Sequence, residues 1–552
     1  MASTTISPPR STGGDEDRPK STGIAKGAIL MAVAVLLSRI LGQVRDSIIA
    51  AEFGRNAQTD AYQAAFTIPD LLFFLLQSGA LSSSLVPILT EFRQQGKDKE
   101  ADKTLSVVAT MIVIVVGILI VIMEFGTEWL TYKLNPGFSA QSVKVASHLT
   151  RILLPAQICF FLGGILMGVL YSRKQFLIPA MGPVVYNAGI IFGGIVLSKI
   201  PGVGITGLVW GGVVGAVFGN LVLPLIAVRR LGVKFRFSTD VRQPGAMKFW
   251  RMILAMGVGV ALPQVDQIVN KGFSSLGAAG DTTAMMNAYR LMLLPIGVLA
   301  QSTAIAVFPT LSGYAAEGNI KAMRSTLNNS LRNILFMTVP ATGLMFILAE
   351  PVIGFLFQWK NFTAHDTVLT AIPLRYLSLG IFIWSCQSLL TRAFYALQEP
   401  WMPVRVGSAS TVLFVLMDWA AVRLGWGNAG IALSTSVAVG INTIALMFLL
   451  GRRMDGLQFV RLLQSAIRIA IATVFMCFIA VSFRDLLAYL AETQIAIQPK
   501  MLSILEIALP GCSGLYVYYH ASRLLRMPEL EAAMASIEPK LKPIMRFLDK
   551  VK

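Results

Sequence analysis

Residues 28–54 read AILMAVAVLLSRILGQVRDSIIAAEFG. The run is long and apolar enough to cross a bilayer, yet it carries Arg39, Arg45 and Asp46. A charge near the centre of a membrane helix costs about 3 kcal/mol even on insertion scales, so it faces protein or water rather than lipid. From Lys26 to Arg39 a helix rises about 20 Å, which places Arg39 too deep to reach the nearer interface. Arg45 and Asp46 lie closer to the far end, where snorkelling competes with an inward role. Arg39, Gly42, Gln43 and Asp46 recur at i, i+3, i+4 and i+7 and share one helical face. That face should point inward. Arg39 and Asp46 are two turns apart, too far to pair along the helix, so Arg39 is left open to an anion from elsewhere.

The rest of the chain gives this helix its setting. Of 552 residues, 55% are hydrophobic and 14% charged, against roughly 25% charged in soluble proteins. Apolar runs near the bilayer-spanning length recur throughout. They read as fourteen spans: 25–50, 61–92, 104–126, 147–170, 178–198, 205–228, 249–273, 284–314, 328–357, 372–397, 403–424, 429–451, 465–484 and 503–521. The fold class is an all-α polytopic membrane protein. The runs are unbroken, which excludes a barrel, whose strands alternate. Residues 1–22 are polar and rich in Ser, Thr, Pro and Gly, the composition of a disordered tail. No short apolar segment with a cleavage site follows, so the first helix reads as retained. Cys159, Cys386, Cys477 and Cys512 lie in apolar context without paired spacing, which points to buried thiols rather than a metal site or disulfide framework. His148, His365 and His520 are scattered. No metal cluster, phosphate-binding glycine loop or nucleophile elbow is visible, and an enzyme or a bound cofactor is disfavoured.

Lys and Arg cluster in alternate loops: Arg93 to Lys103, Arg229 to Lys248, Arg452 to Arg461, and the tail from Arg523 to Lys552. The loop between the first two spans has only Arg55. By the positive-inside rule the basic side is cytoplasmic, with both termini inside. Basic loops facing anionic lipid account for much of the +18 net charge, and nucleic-acid binding is set aside.

The chain also repeats itself. VPILTEFRQQGKDKEADKTL from Val86 matches FPTLSGYAAEGNIKAMRSTL from Phe308; DAYQAAFTIP from Asp60 matches NAYRLMLLP from Asn287; YSRKQFLIP from Tyr171 matches YALQEPWMP from Tyr395. Three matches in one order imply two six-helix lobes, 23–230 and 231–452, related by a pseudo-two-fold axis along the membrane normal. Residues 453–522 form two extra helices, and 523–552 a basic cytoplasmic tail. Paired lobes imply alternating access with the substrate between them, the competing reading being duplication in a scaffold.

The repeat sets Arg290 beside the equivalent of Gln63, near Asp60. Arg290 is thus the second lobe's candidate for a central cavity. Arg151 and Arg375 sit near span ends, where anchoring competes with function. Asp266 and Asp418 are the deepest acids and suggest a site for Na⁺ or H⁺; the competing reading pairs them with Arg290 or another arginine. An interior rich in arginine favours an anionic, phosphate-bearing substrate, and a cationic drug would want acid instead.

SRILGQVRD (38–46), FGRNAQTDAY (53–62), IPDLL (68–72), GALSSSLVPIL (79–89), AYRLMLLPIGVLAQSTAIAVFPTLS (288–312) and RAFYALQEPWMPV (392–404) together resemble the MurJ/MviN family of lipid II flippases, within the MOP exporter superfamily. The resemblance implies a transporter of lipid II, the undecaprenyl-diphosphate-linked disaccharide pentapeptide, in the bacterial cytoplasmic membrane. It places the family's essential charges on Arg39, Arg45, Asp46, Asp60 and Arg290, lining a cavity for the diphosphate headgroup. It assigns the last two helices to a groove for the lipid tail, Asp266 and Asp418 to a coupling cation, and cell-wall synthesis enzymes as associates. Three features depart from the family pattern. Phe73 and Phe74 stand where arginines are expected, Ser78 where Glu is common, and Phe414 where Asn is expected. Another polyprenyl-linked glycan is therefore the alternative substrate.

Overall fold

The computed structural model describes residues 21–76, 80–261, 265–454, 456–493 and 499–534. Residues 1–20, Ser78, residues 535–552 and the Phe74 side chain lie outside that description, and with them the expected N-terminal tail and most of the basic C-terminal tail. Among the described residues the structure is helical, with no strand. Ten helices are long and apolar enough to cross a membrane, or eleven if the pair Ala364–Ser378 and Ile381–Ala396, bent by 43°, counts as one. The fourteen spans read from the sequence are not reached. The three outside this count are helical as well: Ser21–Phe53, then Ala57–Ala65 with Thr67–Leu76 and Ala80–Gln94, and Pro244–Ala261 with Val265–Ser274.

Two of the expected spans break three residues ahead of a proline. The stretch 61–92 divides at Phe66, three residues before Pro69, and 328–357 divides at Leu348, three before Pro351. Proline brings no N–H to bond the preceding turn and suits the first turn of a new helix, although Pro87 and Pro340 in the same two spans lie inside unbroken helices.

Small residues decide the closest packing. Gly189 and Gly193 on Leu177–Ile195 face Gly207, Gly211 and Gly215 on Thr206–Ala216. A Cβ on Gly193 would lie 2.2 Å from the Gly207 carbonyl oxygen, and one on Gly211 2.2 Å from that of Gly189. Only glycine permits this approach, the device by which membrane helices gain contact without a hydrophobic drive.

At the end of the bundle where Asp98–Leu134 begins, the basic loop 233–238 lies along that helix. The amides of Lys234, Arg236 and Ser238 donate to Asp102, Ser106 and Thr110 at 3.3, 3.1 and 3.3 Å. Two extended residues advance about 6.6 Å and four helical ones about 6 Å, so the two repeats stay in step. We refer to this as the basic end, and to the opposite one as the Arg55 end.

The buried apolar residues fall into separate cores along the chain. One runs from Ile68 to Phe249, and another is built largely from Met285 to Met527. The helices Phe459–Thr493 and Pro499–Leu524 pack on each other and on Ile320–Ile347 and Ala349–Phe357. Their outer faces expose Val460, Val474, Phe478 and Tyr516. The expectation of buried cysteines is corrected here. Cys159 and Cys386 are buried, but Cys477 is half-buried and Cys512 exposed, because the last two helices pack on one flank only.

Candidate functional site

The helix Ser21–Phe53 crosses against Leu177–Ile195, and Asn187 fastens the two. The Asn187 amide nitrogen donates to the Ser38 carbonyl at 3.3 Å, and its oxygen accepts from Arg45 at 3.0 Å. Arg45 also donates to Oδ1 of Asp46 through Nε (3.0 Å) and Nη2 (2.8 Å). That same oxygen lies 3.2 Å from Nη1 of Arg290, on Asp281–Pro295. Arg290 Nη2 donates to Gln63 at 2.8 Å. One buried carboxylate thus ties together two guanidinium groups from opposite halves of the chain. Two cations share one anion, so the cluster keeps a net positive charge around the buried Asp46.

Arg39 lies two turns away on the same helix, exposed, with no hydrogen bond or ion pair among the described residues. Its guanidinium rests against Gly297, where a Cβ would meet Nη1 at 2.6 Å. Gly297 sits in the π-helical turn Ile296–Ala300 that follows Pro295. Proline removes one donor from the ladder, the helix widens, and the turn offers bare backbone to the arginine. Of the face read from the sequence, the structure shows the polar contacts alone. Asp46 is engaged and Arg39 is unpaired.

Asp60 closes the Arg55 end. Its carboxylate accepts from the backbone N–H of Gly280 (2.6 Å) and Thr283 (2.7 Å) and from the Thr283 hydroxyl (2.7 Å). These groups form the N-terminus of Asp281–Pro295, where free N–H groups and the helix dipole favour an anion. Asp60 is therefore a strut between the two halves, one turn from the Arg290 contact through Gln63.

The sequence reading missed what surrounds it. Arg55 bridges Asp281 through Nη1 and Asp366 through Nε, both at 3.1 Å. Lys360 bonds Glu52, and the Asn361 side chain donates to the Glu52 carbonyl at 2.7 Å. The available signal was that Arg55 is the lone basic residue of its loop; its partners lie more than two hundred residues on. Between Asp46, Gln63, Thr283 and Asn287 the crevice is too narrow for water. The segments meeting there are tightly packed.

Asp266 and Asp418 do not pair with Arg290, which is engaged with Asp46. Asp418 is fully buried, neither of its carboxylate oxygens has a partner among the described residues, and Asp266 and Ser434 are its polar neighbours. A buried carboxylate in this state needs a proton or a cation. Phe414, one turn earlier on the same helix, is also buried and brings a ring where a hard cation would want oxygen. Arg375 pairs with Glu350 at 3.0 Å, both partly exposed. Phe73 packs edge-on against Phe160, ring centroids 6.0 Å apart.

Comparison with known proteins agrees with this architecture. A relative from Burkholderia cenocepacia, Lipid II flippase MurJ, is 29% identical over 76% of this chain and 82% of its own length. A probable lipid II flippase MurJ from Buchnera aphidicola is 28% identical over 77% and 83%. A solved structure of lipid II flippase MurJ in an inward closed conformation superposes with a TM-score of 0.73 at 25% identity, covering 90% of this chain and 98% of that one. An inward-facing MATE family transporter of the MOP superfamily, at 16% identity and TM-score 0.64 over 77% and 98%, shares the fold. The family described as Lipid II flippase MurJ matches residues 49–497, and with that span the chain belongs to the MurJ family.

Proposed function

We propose that this protein moves lipid II from the inner to the outer leaflet of the bacterial inner membrane, as a multi-pass transporter that makes and breaks no covalent bond. The observation that carries the reading is the cross-half cluster of Arg45, Asp46 and Arg290 with the unpaired Arg39 beside it, in a chain of this family. A diphosphate is bidentate and doubly anionic, and guanidinium groups match it in charge and geometry. Arg39 offers free donors at once; Arg45 and Arg290 share a carboxylate that a phosphate can compete with.

The access cycle follows from the closure at the Arg55 end. With the basic end cytoplasmic and both termini inside, the ion pairs of Arg55 and the Asp60 strut shut the outer side while the headgroup enters from within. Parting the two six-helix lobes there releases it outward. The exposed apolar flank of the last two helices suits the polyprenyl tail, which stays in lipid while the headgroup crosses. Fourteen spans, in two lobes and an appended pair, complete this arrangement. Asp266 and Asp418 serve coupling, and Phe414 beside them favours a proton over Na⁺. Cell-wall synthesis enzymes would deliver and consume the substrate.

Lipid II translocation in proteoliposomes tests the reading, with wild type beside Arg39→Ala and Arg290→Ala. Movement by wild type, lost in both variants at normal folding, is the expected result. No movement by folded wild type, with or without an imposed potential or Na⁺ gradient, would transfer the reading to another polyprenyl-linked glycan, which Phe73 in place of an arginine already favours as the second choice.

A further inference from the structure

Lys271 is the only buried lysine among the described residues. It stands in the last turn of Val265–Ser274. Its Nζ has one polar contact, the Thr67 hydroxyl at 3.4 Å, on Thr67–Leu76 of the other half. No carboxylate lies within ion-pair distance of it among the described residues. The charged groups that act on it are Asp70 and Arg290. A buried ammonium normally has a close anion. This one offers three donors and uses one, at the outer limit of hydrogen bonding, on a neutral oxygen. The helix C-terminus favours a cation there without occupying its donors.

Its location gives the spare donors a use. Lys271 reaches Thr67 across the contact between the halves, and Arg290, its cationic neighbour, belongs to the cluster that includes Asp46 and Gln63. On the facing helix Thr67, Asp70 and Phe73 follow one another at every third position, so that wall offers a hydroxyl, a carboxylate and a ring, and no cation. Parting the halves would remove this one hydrogen bond and free all three donors of the ammonium.

We propose that Lys271 is a substrate-binding residue of the second half, which takes an anionic oxygen of the headgroup, phosphate or carboxylate, once the Arg55 end opens. This rests on the lipid II reading above. Thr67 holds the ammonium in place while the site is empty, and Asp70, beyond ion-pair distance, is the acid that acts on it. The substrate then moves from the Arg39 and Arg45 side toward the Arg290 and Lys271 side as the halves separate.

The test uses the purified full-length protein and two lipids, lipid II and undecaprenyl diphosphate. Equilibrium binding and translocation are compared for wild type, Lys271→Met, Lys271→Gln, Lys271→Arg, and Asp70→Asn combined with Lys271→Met. Losing one charge-assisted bond should weaken lipid II binding about tenfold in the Met and Gln variants, slow translocation, and leave Lys271→Arg near wild type. An equal loss for undecaprenyl diphosphate places the anion on the phosphates; a loss confined to lipid II places it on the stem-peptide carboxylates. Wild-type binding and translocation in both neutral variants would overturn the proposal. So would full recovery in the double variant, since Lys271 would then serve only to neutralise Asp70. Failure of wild type to move lipid II would count against the substrate reading; if lipid II and undecaprenyl diphosphate then bind the neutral variants as they bind wild type, the Lys271 proposal falls as well.

Discussion

Replacing Arg55 by Ala should open the end of the molecule that this structure shows closed. Arg55 donates to Asp281 and Asp366 at 3.1 Å each, with side-chain exposures of 8% for Arg55, 20% for Asp281 and 13% for Asp366. Removing one partner of a buried pair leaves uncompensated charge, at about 3–5 kcal/mol. Here one arginine serves two acids, so two carboxylates are stranded. Partial exposure lets water screen both, and opening the seam hydrates them fully, which lowers the penalty to about 1–3 kcal/mol. The closed state should therefore lose roughly 5- to 150-fold in population against the open one. Spin labels on Gln58→Cys and Ala364→Cys, both exposed at this end, with Cys512 replaced by Ser, would report the separation by pulsed electron resonance. The expected result is a longer distance in Arg55→Ala, partly reversed in Arg55→Lys. A distance distribution identical to that of the parent would refute the reasoning, and would mean that the Asp60 strut alone carries the closure.

Gly297→Val should abolish transport without unfolding the protein, because the new side chain occupies the place of the Arg39 guanidinium; translocation and melting temperature measured together check this. Asp60→Asn sets an amide against the N–H groups of Gly280 and Thr283, should weaken the closed seam by about 2 kcal/mol, and should lengthen the same spin-label distance. Glu529 lies beyond the last long helix and accepts from Ser465 at 2.5 Å and Arg332 at 2.7 Å. Burial pushes its carboxyl upward, but the bonds from Ser465, the backbone and Arg332 outweigh it and hold the group below its ordinary 4.5. With the folded value depressed, its stabilisation is complete above about pH 4.5 and is lost as pH falls through that lower value. The melting-temperature difference between wild type and Glu529→Gln should be present at pH 7 and vanish in acid; a difference that persists there would count against the argument.

The helical membrane class was legible because spanning length and hydropathy are local properties, read one segment at a time. Arg39, Asp46 and Arg290 could be marked for the same reason: a charge within an apolar run is costly wherever the fold puts it. The breaks at Phe66 and Leu348 precede Pro69 and Pro351 by three residues, but Pro87 and Pro340 in the same spans leave their helices intact, so proline alone does not mark a break, and hydropathy runs across it. Cys512 misled because apolar context does not distinguish lipid from protein interior; its helix packs on one side only.

What the sequence by itself determined is the set of charges that must be kept from lipid. What only the tertiary structure decided is which of them meet. Arg45 and Arg290 share one oxygen of Asp46 across more than two hundred residues of chain. Arg55 finds Asp281 and Asp366 at comparable separations, and Lys271 is left with Thr67. Ion pairs depend on distance in space, and a chain that crosses the membrane many times brings together residues whose separation along the sequence carries no sign of their contact.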